Sequence, residues 1–583
     1  MDSEKTLSYF INESEKLVHK KFKKKIRIAL LSSYTVNGLK EIVQVKCAEY
    51  GISASIYEGP YNQYSQEILN VNSNFYKFKP DIVFLIIDSR DIFDELYHFP
   101  YSKPIDQKKL WITEKISEIN YLVDFFTKQC NSTMIISNLN IPTDSSYGIS
   151  EQKSDYGLSD MIQQFNSTLN LNYKNSEHVA ILDFNSFVSK HGEDNIFDPR
   201  QYFFGDIRIS IKFLGYYGEE IMKFLISFLG LTKKCIVLDL DNTLWGGIVG
   251  EDGFNGIKLG PEPPGNVFVE FQKTILSLHQ RGIILAINSK NNFDDAMQII
   301  REHPYMILNE SHFSSIKINW NDKVSNIKQI VEELNIGLDS IVFLDDDKVN
   351  QEFVKSMLPD VFVPELPEDP SMYSKYLQNI IQFSTLKITN EDKQRGKMYA
   401  QQKIRNELKI SSPDLTTFLK KLNLKITIKK VDAFSLPRVS QLILKTNQFN
   451  LTTKRYQESE INLMVNDPDF FIGYVNVKDK FGDNGITGVF IIKKESEKIW
   501  IIDTFLLSCR VMGRDIEKGM FVYIVNEAKK NSINQIKSKF IPTQKNKPIE
   551  NFLPNCNFKK DGDYWTYMIK SKLPFPEFLE LEV

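Results

Sequence analysis

Residues 235–253 read CIVLDLDNTLWGGIVGEDG. The apolar run Ile236, Val237 and Leu238 predicts a buried strand. Two carboxylates at i and i+2, Asp239 and Asp241, leave its carboxyl end, where open α/β sheets place their ligand sites. Two acids this close repel each other unless a cation or a proton separates them. The economical reading is a metal-assisted phosphoryl site, with Asp239 as nucleophile and Asp241 as general acid/base.

Three segments downstream extend this reading. Ile283–Asn288 is an apolar strand pattern ending at Ser289, whose hydroxyl suits a phosphate oxygen. Lys323 opens a helical pattern, Lys323–Leu334, where an ammonium neutralises phosphate charge and holds Asp239 ionised. Ser340–Leu344 runs into Asp345, Asp346 and Asp347; with Asp239 these acids make a hard-cation site suited to Mg²⁺. Met306–Leu308 is expected as a further strand of the same sheet. The implied chemistry is in-line attack by Asp239, an aspartyl-phosphate, then attack by water or another acceptor. Taken singly, Asp241 and Thr243 also suit a cap, Ser289 an N-cap, Lys323 a solvated helix position and Asp347 a solvated acid. The spacing from Thr243 to Ser289 leaves room for a short flap and one helix, and that from Ser289 to Lys323 only for core. No large lid is inserted, so the site accepts a phosphate on a bulky carrier, or a neighbouring domain supplies the lid that excludes water.

At 583 residues the chain is too long for one core, and about three domains are expected. A net charge of -2 exerts no general pull toward nucleic acid or membrane. Cys47, Cys130, Cys235, Cys509 and Cys556 lie far apart without a CxxC pair, which argues against a zinc site or a disulfide framework. The polar N-terminus lacks a secretory apolar stretch, and Ile221–Leu231 is too short to span a bilayer, so a cytoplasmic setting is expected.

Strand patterns at Ile26–Leu31, Asp81–Ile87, Thr133–Ile136 and Val179–Leu182 alternate with helical ones, predicting a parallel α/β domain over 1–230. A second α/β domain covers 231–388, a helical connector 389–423, and an α+β domain 424–583.

The four segments in order and register resemble the haloacid dehalogenase (HAD) superfamily. That resemblance implies Asp239 as nucleophile, Asp241 as acid/base, Thr243 supporting the loop, Ser289 and Lys323 as phosphate ligands, and Asp345 or Asp346 as metal ligand. The expected phosphate-binding set is thus Thr243, Ser289 and Lys323, and the metal set Asp239, Asp241, Asp345 and Asp346. The string DNTLWGGIVGEDG is narrower and resembles the FkbH-like (HAD-IIIC) branch. The similarity continues through Thr389–Asp392 with Arg395 and Tyr399, Thr446–Thr452, Asp479–Gly485, Ser508–Arg514 and Pro542–Asn546. It implies loading of a glyceryl unit from 1,3-bisphosphoglycerate onto an acyl carrier protein thiol. Leu240 stands where many relatives carry Cys, which counts against acyl transfer through a cysteine in the motif.

The C-terminal part resembles the GNAT acyltransferase fold, which implies a thioester or phosphopantetheine site at a strand-to-helix loop. Arg510, Gly513, Arg514, Asn447 and Asn484 are the residues expected there. The N-terminal part resembles SGNH hydrolase-like domains, with Ser32 or Ser33 and Asn138 at strand ends. Its Asp-x-x-His element is missing and His191 is displaced, so a non-catalytic role is expected. The fold class is therefore α/β multidomain: an SGNH-like domain, a HAD Rossmann-like parallel sheet without a large cap, and a GNAT-like α+β domain. Two functions stand side by side: a Mg²⁺-dependent enzyme loading a glyceryl unit onto an acyl carrier protein, and a phosphatase of a sugar phosphate or another phosphorylated intermediate. A scaffold with a decayed site is a third, disfavoured by the four intact motifs.

Overall fold

The computed structural model describes residues 5–582 except 23, 390, 393–400, 402–404, 406–407 and 410. Asn390, Arg395 and Tyr399 of the expected connector lie outside the described residues. The chain divides into two compact units, Met1–Leu225 and Ile226–Val583.

The first unit is built on five strands: β1 (Lys24–Ser32), β2 (Ile52–Glu58), β3 (Ile82–Ile86), β4 (Thr133–Ser137) and β5 (Val179–Leu182). They pair in parallel in the order β2-β1-β3-β4-β5. All five residues of β3 are buried, as a strand covered on both faces requires. Helix α1 (Ile105–Gln129) packs one such face with Ile112, Ile116, Ile119 and Val123, a stripe at helical spacing.

In the second unit a four-stranded parallel sheet holds β6 (Cys235–Leu238), β7 (Ile284–Ser289), β8 (Phe313–Ile318) and β9 (Ile341–Leu344), in the order β8-β7-β6-β9. Every residue of β6 is buried. Leu238 lies opposite both Ile287 and Leu344. The next residues along each strand, Asp239, Asn288 and Asp345, therefore lie at one level of the sheet. The expected strand Met306–Leu308 is corrected: the edge strand is Phe313–Ile318. The earlier segment is a loop whose Ile307 and Leu308 amides donate to Gln272 Oε1 at 2.9 and 3.2 Å, so its backbone bonds go to a side chain. Only a flap with helix α2 (Val249–Gly256) separates the Asp239 loop from helix α3 (Gly265–Gln280). It is closed by antiparallel pairing of Gly246 with Lys258. Helix α4 (Lys323–Leu334) begins with Asp322 capping Ser325 N at 2.8 Å.

The remaining strands form a mixed sheet: β10 (Leu424–Lys430), β11 (Phe449–Asn450), β12 (Phe470–Asp479), β13 (Gly482–Ser496), β14 (Ile499–Leu507), β15 (Gln535–Ser538), β16 (Lys559–Asp561), β17 (Tyr564–Met568) and β18 (Leu579–Glu582). The main order is β16-β17-β15-β14-β13-β12-β10-β18. Helices α5 (Leu436–Lys445) and α6 (Ile516–Lys530) pack against it. β15 pairs with β14 only from Ile499 to Ile502. Further along β14, Leu506 and Leu507 pair instead with Asn450 and Phe449 of β11.

Candidate active site

The chain turns sharply after Asp239 because Asn242 adopts a left-handed conformation (φ 52°), which an Asn side chain tolerates. Asn242 Oδ1 then accepts from Gly247 N at 2.9 Å. Gly247 itself needs the left-handed region (φ +93°), and a Cβ there would stand 2.4 Å from Asp252 Oδ2. That oxygen accepts from Ile248 N at 2.8 Å and starts the flap helix α2.

Lys323 sits at the centre of the site, 1% exposed. Its Nζ donates to Asp239 Oδ1 at 2.7 Å and to Asn288 O at 2.8 Å, and pairs with Asp345 Oδ2 at 3.0 Å. A buried ladder of amides fixes it. Asn288 Nδ2 donates to Lys323 O at 3.0 Å, Asn326 Nδ2 donates to Asn288 Oδ1 at 3.0 Å, and Asn319 closes the ladder. Burial works against the Lys323 charge, but Asp239 and Asp345 outweigh it and hold the ammonium above its ordinary range.

Asp239, Asp345 and Asp346 each bring an oxygen within 4.8 Å of the others. Asp345 is oriented by Asp347 N at 2.9 Å and by Asn350 Nδ2 at 3.4 Å. Asp346 Oδ1 accepts from Thr243 Oγ1 at 3.3 Å. Burial, then repulsion from Asp239, raises Asp345 to about 6; burial, then Asp239 and Asp345, raises Asp346 to about 7. Three crowded carboxylates, two of them sharing one ammonium, all oxygen donors, fit a hard divalent cation such as Mg²⁺.

Asp241, expected in the metal set, stands outside this trio. Its Oδ1 accepts from Trp245 Nε1 at 2.9 Å and Val249 N at 3.2 Å, and its Oδ2 from Asn291 Nδ2 at 2.9 Å. Burial raises its pKa despite these bonds. Ser289 ends β7 beside the same Asn291, at 3.4 Å. Thr243, expected to touch phosphate, is fully buried and bonded to Asp346 instead. Trp245, Asn288 and Asn291 escaped the sequence reading. The polar run Lys290–Asn292 directly after β7 was the available signal for Asn291.

The expected thioester residues do not converge. Arg514 is 3% exposed and pairs with Asp479 at 3.1 Å, and its Nη2 donates to Arg510 O at 2.8 Å. Asp479 also takes Arg405 at 2.7 and 2.9 Å, and Asn484 Nδ2 at 3.4 Å. Arg514 and Asn484 thus belong to a buried ion-pair network, a correction to their expected ligand role. Gly513 supplies the left-handed turn (φ +72°) before α6. Asn447 Oδ1 accepts from Arg455 at 2.5 Å. Asn447 and Arg510, but not Arg514, line a separate cavity.

In the first unit, Ser33 Oγ accepts from Asp88 N at 3.1 Å, and Ser32 Oγ from Tyr34 N at 3.2 Å. Asn138 is engaged with Asp183 at 2.9 Å. His191 packs against Phe187 and Tyr216. Asp88, near Ser33, is paired at 2.7 Å with Arg208, a permanently charged group that cannot serve as a base.

Residues 27–226 match the family described as FkbH, N-terminal domain. Among solved structures, the chain is similar to the N-terminal part of the protein BF1531 from Bacteroides fragilis, which contains a phosphatase domain and was crystallised with Mg. Identity is 28%, the TM-score is 0.60, and the match covers 66% of this chain and 100% of that one. A GNAT-family acetyltransferase from Staphylococcus aureus overlays on 25% of this chain and 99% of its own at 14% identity and a TM-score of 0.20. The PaiA N-acetyltransferase from Thermoplasma acidophilum, in complex with coenzyme A, covers 25% and 99% at 13% identity and a TM-score of 0.20. No curated protein matches the sequence. Among the described residues no helix is long and apolar enough to cross a membrane.

Proposed function

We propose that this chain is a Mg²⁺-dependent, FkbH-like phosphoryl-transfer enzyme that dephosphorylates a small phosphorylated acid and loads its acyl unit onto an acyl carrier protein in a cytoplasmic setting. The observation that carries the phosphoryl-transfer part is Lys323, buried and shared between Asp239 and Asp345, with Asp241 held apart by its own hydrogen bonds. One carboxylate is thereby held in place for attack while the other is aimed separately for proton transfer.

Asp239 attacks phosphorus in line, and the bond to the leaving oxygen breaks with its electron pair on that oxygen. Asp241 supplies the proton it needs. Asp241 then takes a proton from the water that attacks the aspartyl-phosphate, which releases phosphate and restores both acids. Lys323 and the Ser289 hydroxyl offset the phosphoryl charge and orient its oxygens. Asp239, Asp345 and Asp346 would hold Mg²⁺, which when bound supplies further charge neutralisation on the phosphoryl group.

With 1,3-bisphosphoglycerate as donor, the two phosphates leave by separate routes. The carrier thiol attacks the carbonyl carbon and breaks the mixed anhydride, forming the thioester with loss of phosphate. The ester phosphate leaves through Asp239. An N-terminal SGNH-like domain without hydrolase activity and a C-terminal GNAT-like domain would position the carrier. One observation favours a second reading, hydrolysis of a sugar phosphate or related intermediate: the residue between the two motif acids, Leu240, carries no thiol.

Incubation with Mg²⁺, 1,3-bisphosphoglycerate and a panel of holo acyl carrier proteins, read by intact mass, separates the two. A glyceryl adduct on a carrier, lost with Asp239→Asn, supports loading. Phosphate release without any adduct supports the hydrolase.

A further inference from the structure

The carboxyl ends of β6, β7 and β9 are occupied by the phosphoryl site; the opposite end of that sheet faces a second cavity, of about 380 Å³. Lys234 lies on its wall, immediately before β6, whereas Asp239 immediately follows β6. Five residue steps of strand, about 16 Å, separate the two. The cavity is therefore not an extension of the phosphoryl site. Its walls come from the segment before β9, from α5 and the chain leading to β11, and from the loop after β14. The two sides are tied together by Asn335, whose Nδ2 donates to Cys509 O, and by Lys545 paired with Asp339 at 2.5 Å.

Five cationic side chains line this cavity: Lys234, Arg438, Lys445, Arg510 and Lys545. Two carboxylates, Asp339 and Asp360, oppose them. Burial disfavours the Asp339 carboxylate, yet Lys545, Lys234 and Lys233 hold it below the usual range. The side-chain oxygen of Gln448 is buried on the same wall and has no hydrogen-bond partner among the described residues. A buried acceptor left unmade is costly, and a ligand donor would satisfy it. Its neighbour Asn447 is held by Arg455, which also donates to Thr446 O at 2.9 Å, so this wall is braced from behind.

We propose that this cavity is a second anion site, binding a small organic phosphate that carries a hydroxyl or amide N–H donor. The excess of cations meets the phosphate, and the Gln448 oxygen takes the donor. A free hydroxy-acid phosphate and a phosphopantetheine group share this chemistry. The site does not depend on the phosphoryl-transfer reading, because it uses none of the residues of that centre.

Cys509 lines the cavity and is half-buried, so it reports occupancy. The full-length protein is alkylated with iodoacetamide and each cysteine peptide is quantified by mass, with Cys130 and Cys556 as internal references. The probes are 3-phosphoglycerate, 4′-phosphopantetheine and uncharged glycerol. A phosphate probe is expected to slow Cys509 alkylation saturably, by about tenfold at ten times its Kd. The probe with the lower half-saturation identifies the source of the phosphate. Lys445→Gln and Lys545→Gln, made separately, are expected to raise the half-saturation concentration, and Lys545 is exposed enough that its replacement spares the core. Protection is expected to persist in Asp239→Asn. The proposal is overturned by an absence of saturable slowing with both phosphates, by equal slowing with glycerol, by unchanged half-saturation in both lysine variants, or by loss of protection in Asp239→Asn.

Discussion

Lys323 Nζ stands 2.7 Å from Asp239 Oδ1, in a position almost closed to solvent. A buried ammonium between two carboxylates fixes the position of Asp239 and stabilises the sheet edge. Lys323→Met is expected to lower phosphate release by about 10²–10³-fold, as removal of a charge-stabilising donor does. Leaving Asp239 and Asp345 without their cation is also expected to cost about 3–5 kcal/mol in urea unfolding without added metal. Unchanged turnover in this variant would contradict the assignment.

Asp241 is aimed by three hydrogen bonds, from Trp245, Val249 and Asn291. Asp241→Asn keeps a similar shape but cannot give or take the proton. Release from an alkyl phosphate is expected to fall by about 10²–10⁴-fold. The first step with p-nitrophenyl phosphate, whose leaving oxygen needs little protonation, is expected to fall far less. Equal losses in the first step for both substrates would remove Asp241 from the proton-transfer role.

Lys233 gives a pH signature unrelated to the site. Burial lowers its pKa to about 8, while its Nζ donates to Asp339 O at 2.8 Å. The unfolded chain keeps that proton up to about pH 10.4. Between these values the unfolded state binds more protons, so stability rises with pH across that window. From pH 7.5 to 9.5 this one group is expected to add about 2 kcal/mol. The measurement is urea unfolding at both pH values in the wild type and in Lys233→Met. The rise attributable to Lys233 is the part that disappears in the variant, and a variant that keeps all of it contradicts the account.

Asp479 neutralises both Arg405 and Arg514 in the interior. Asp479→Ala is expected to destabilise the chain by about 3–5 kcal/mol, because two buried guanidinium groups lose their partner. Mg²⁺-dependent phosphate release from a small ester is expected to be unchanged below the unfolding transition. A stable variant with impaired release would instead place this network in catalysis.

The candidate-site acids were legible because each follows a short apolar run, and parallel pairing at fixed register brings such run ends to one edge. Asp239, Asp345 and Asp346 meet for that reason, and Lys323 joins them from the first turn of a capped helix. The orientation of Asp241 was not legible, since it depends on Trp245 and Val249 in the flap and on Asn291 beyond β7. Arg514 was misread for a similar reason: its partner Asp479 lies 35 positions away, and a basic residue near a helix start looks like a ligand until its counter-ion is known. The edge strand was misplaced because Met306–Leu308 is an apolar run whereas Phe313–Ile318 is broken by Ser314, Ser315 and Lys317, and the Gln272 side chain takes the backbone donors of the more apolar segment.

The central claim is that the phosphoryl group passes through Asp239. Acid quench of a single turnover with Mg²⁺ and a phosphoester substrate, followed by peptide mapping, tests it most directly. The account predicts a phosphoryl group on the peptide containing Asp239, its accumulation in Asp241→Asn, and its loss together with turnover in Asp239→Asn. Undiminished Mg²⁺-dependent turnover in Asp239→Asn would contradict it.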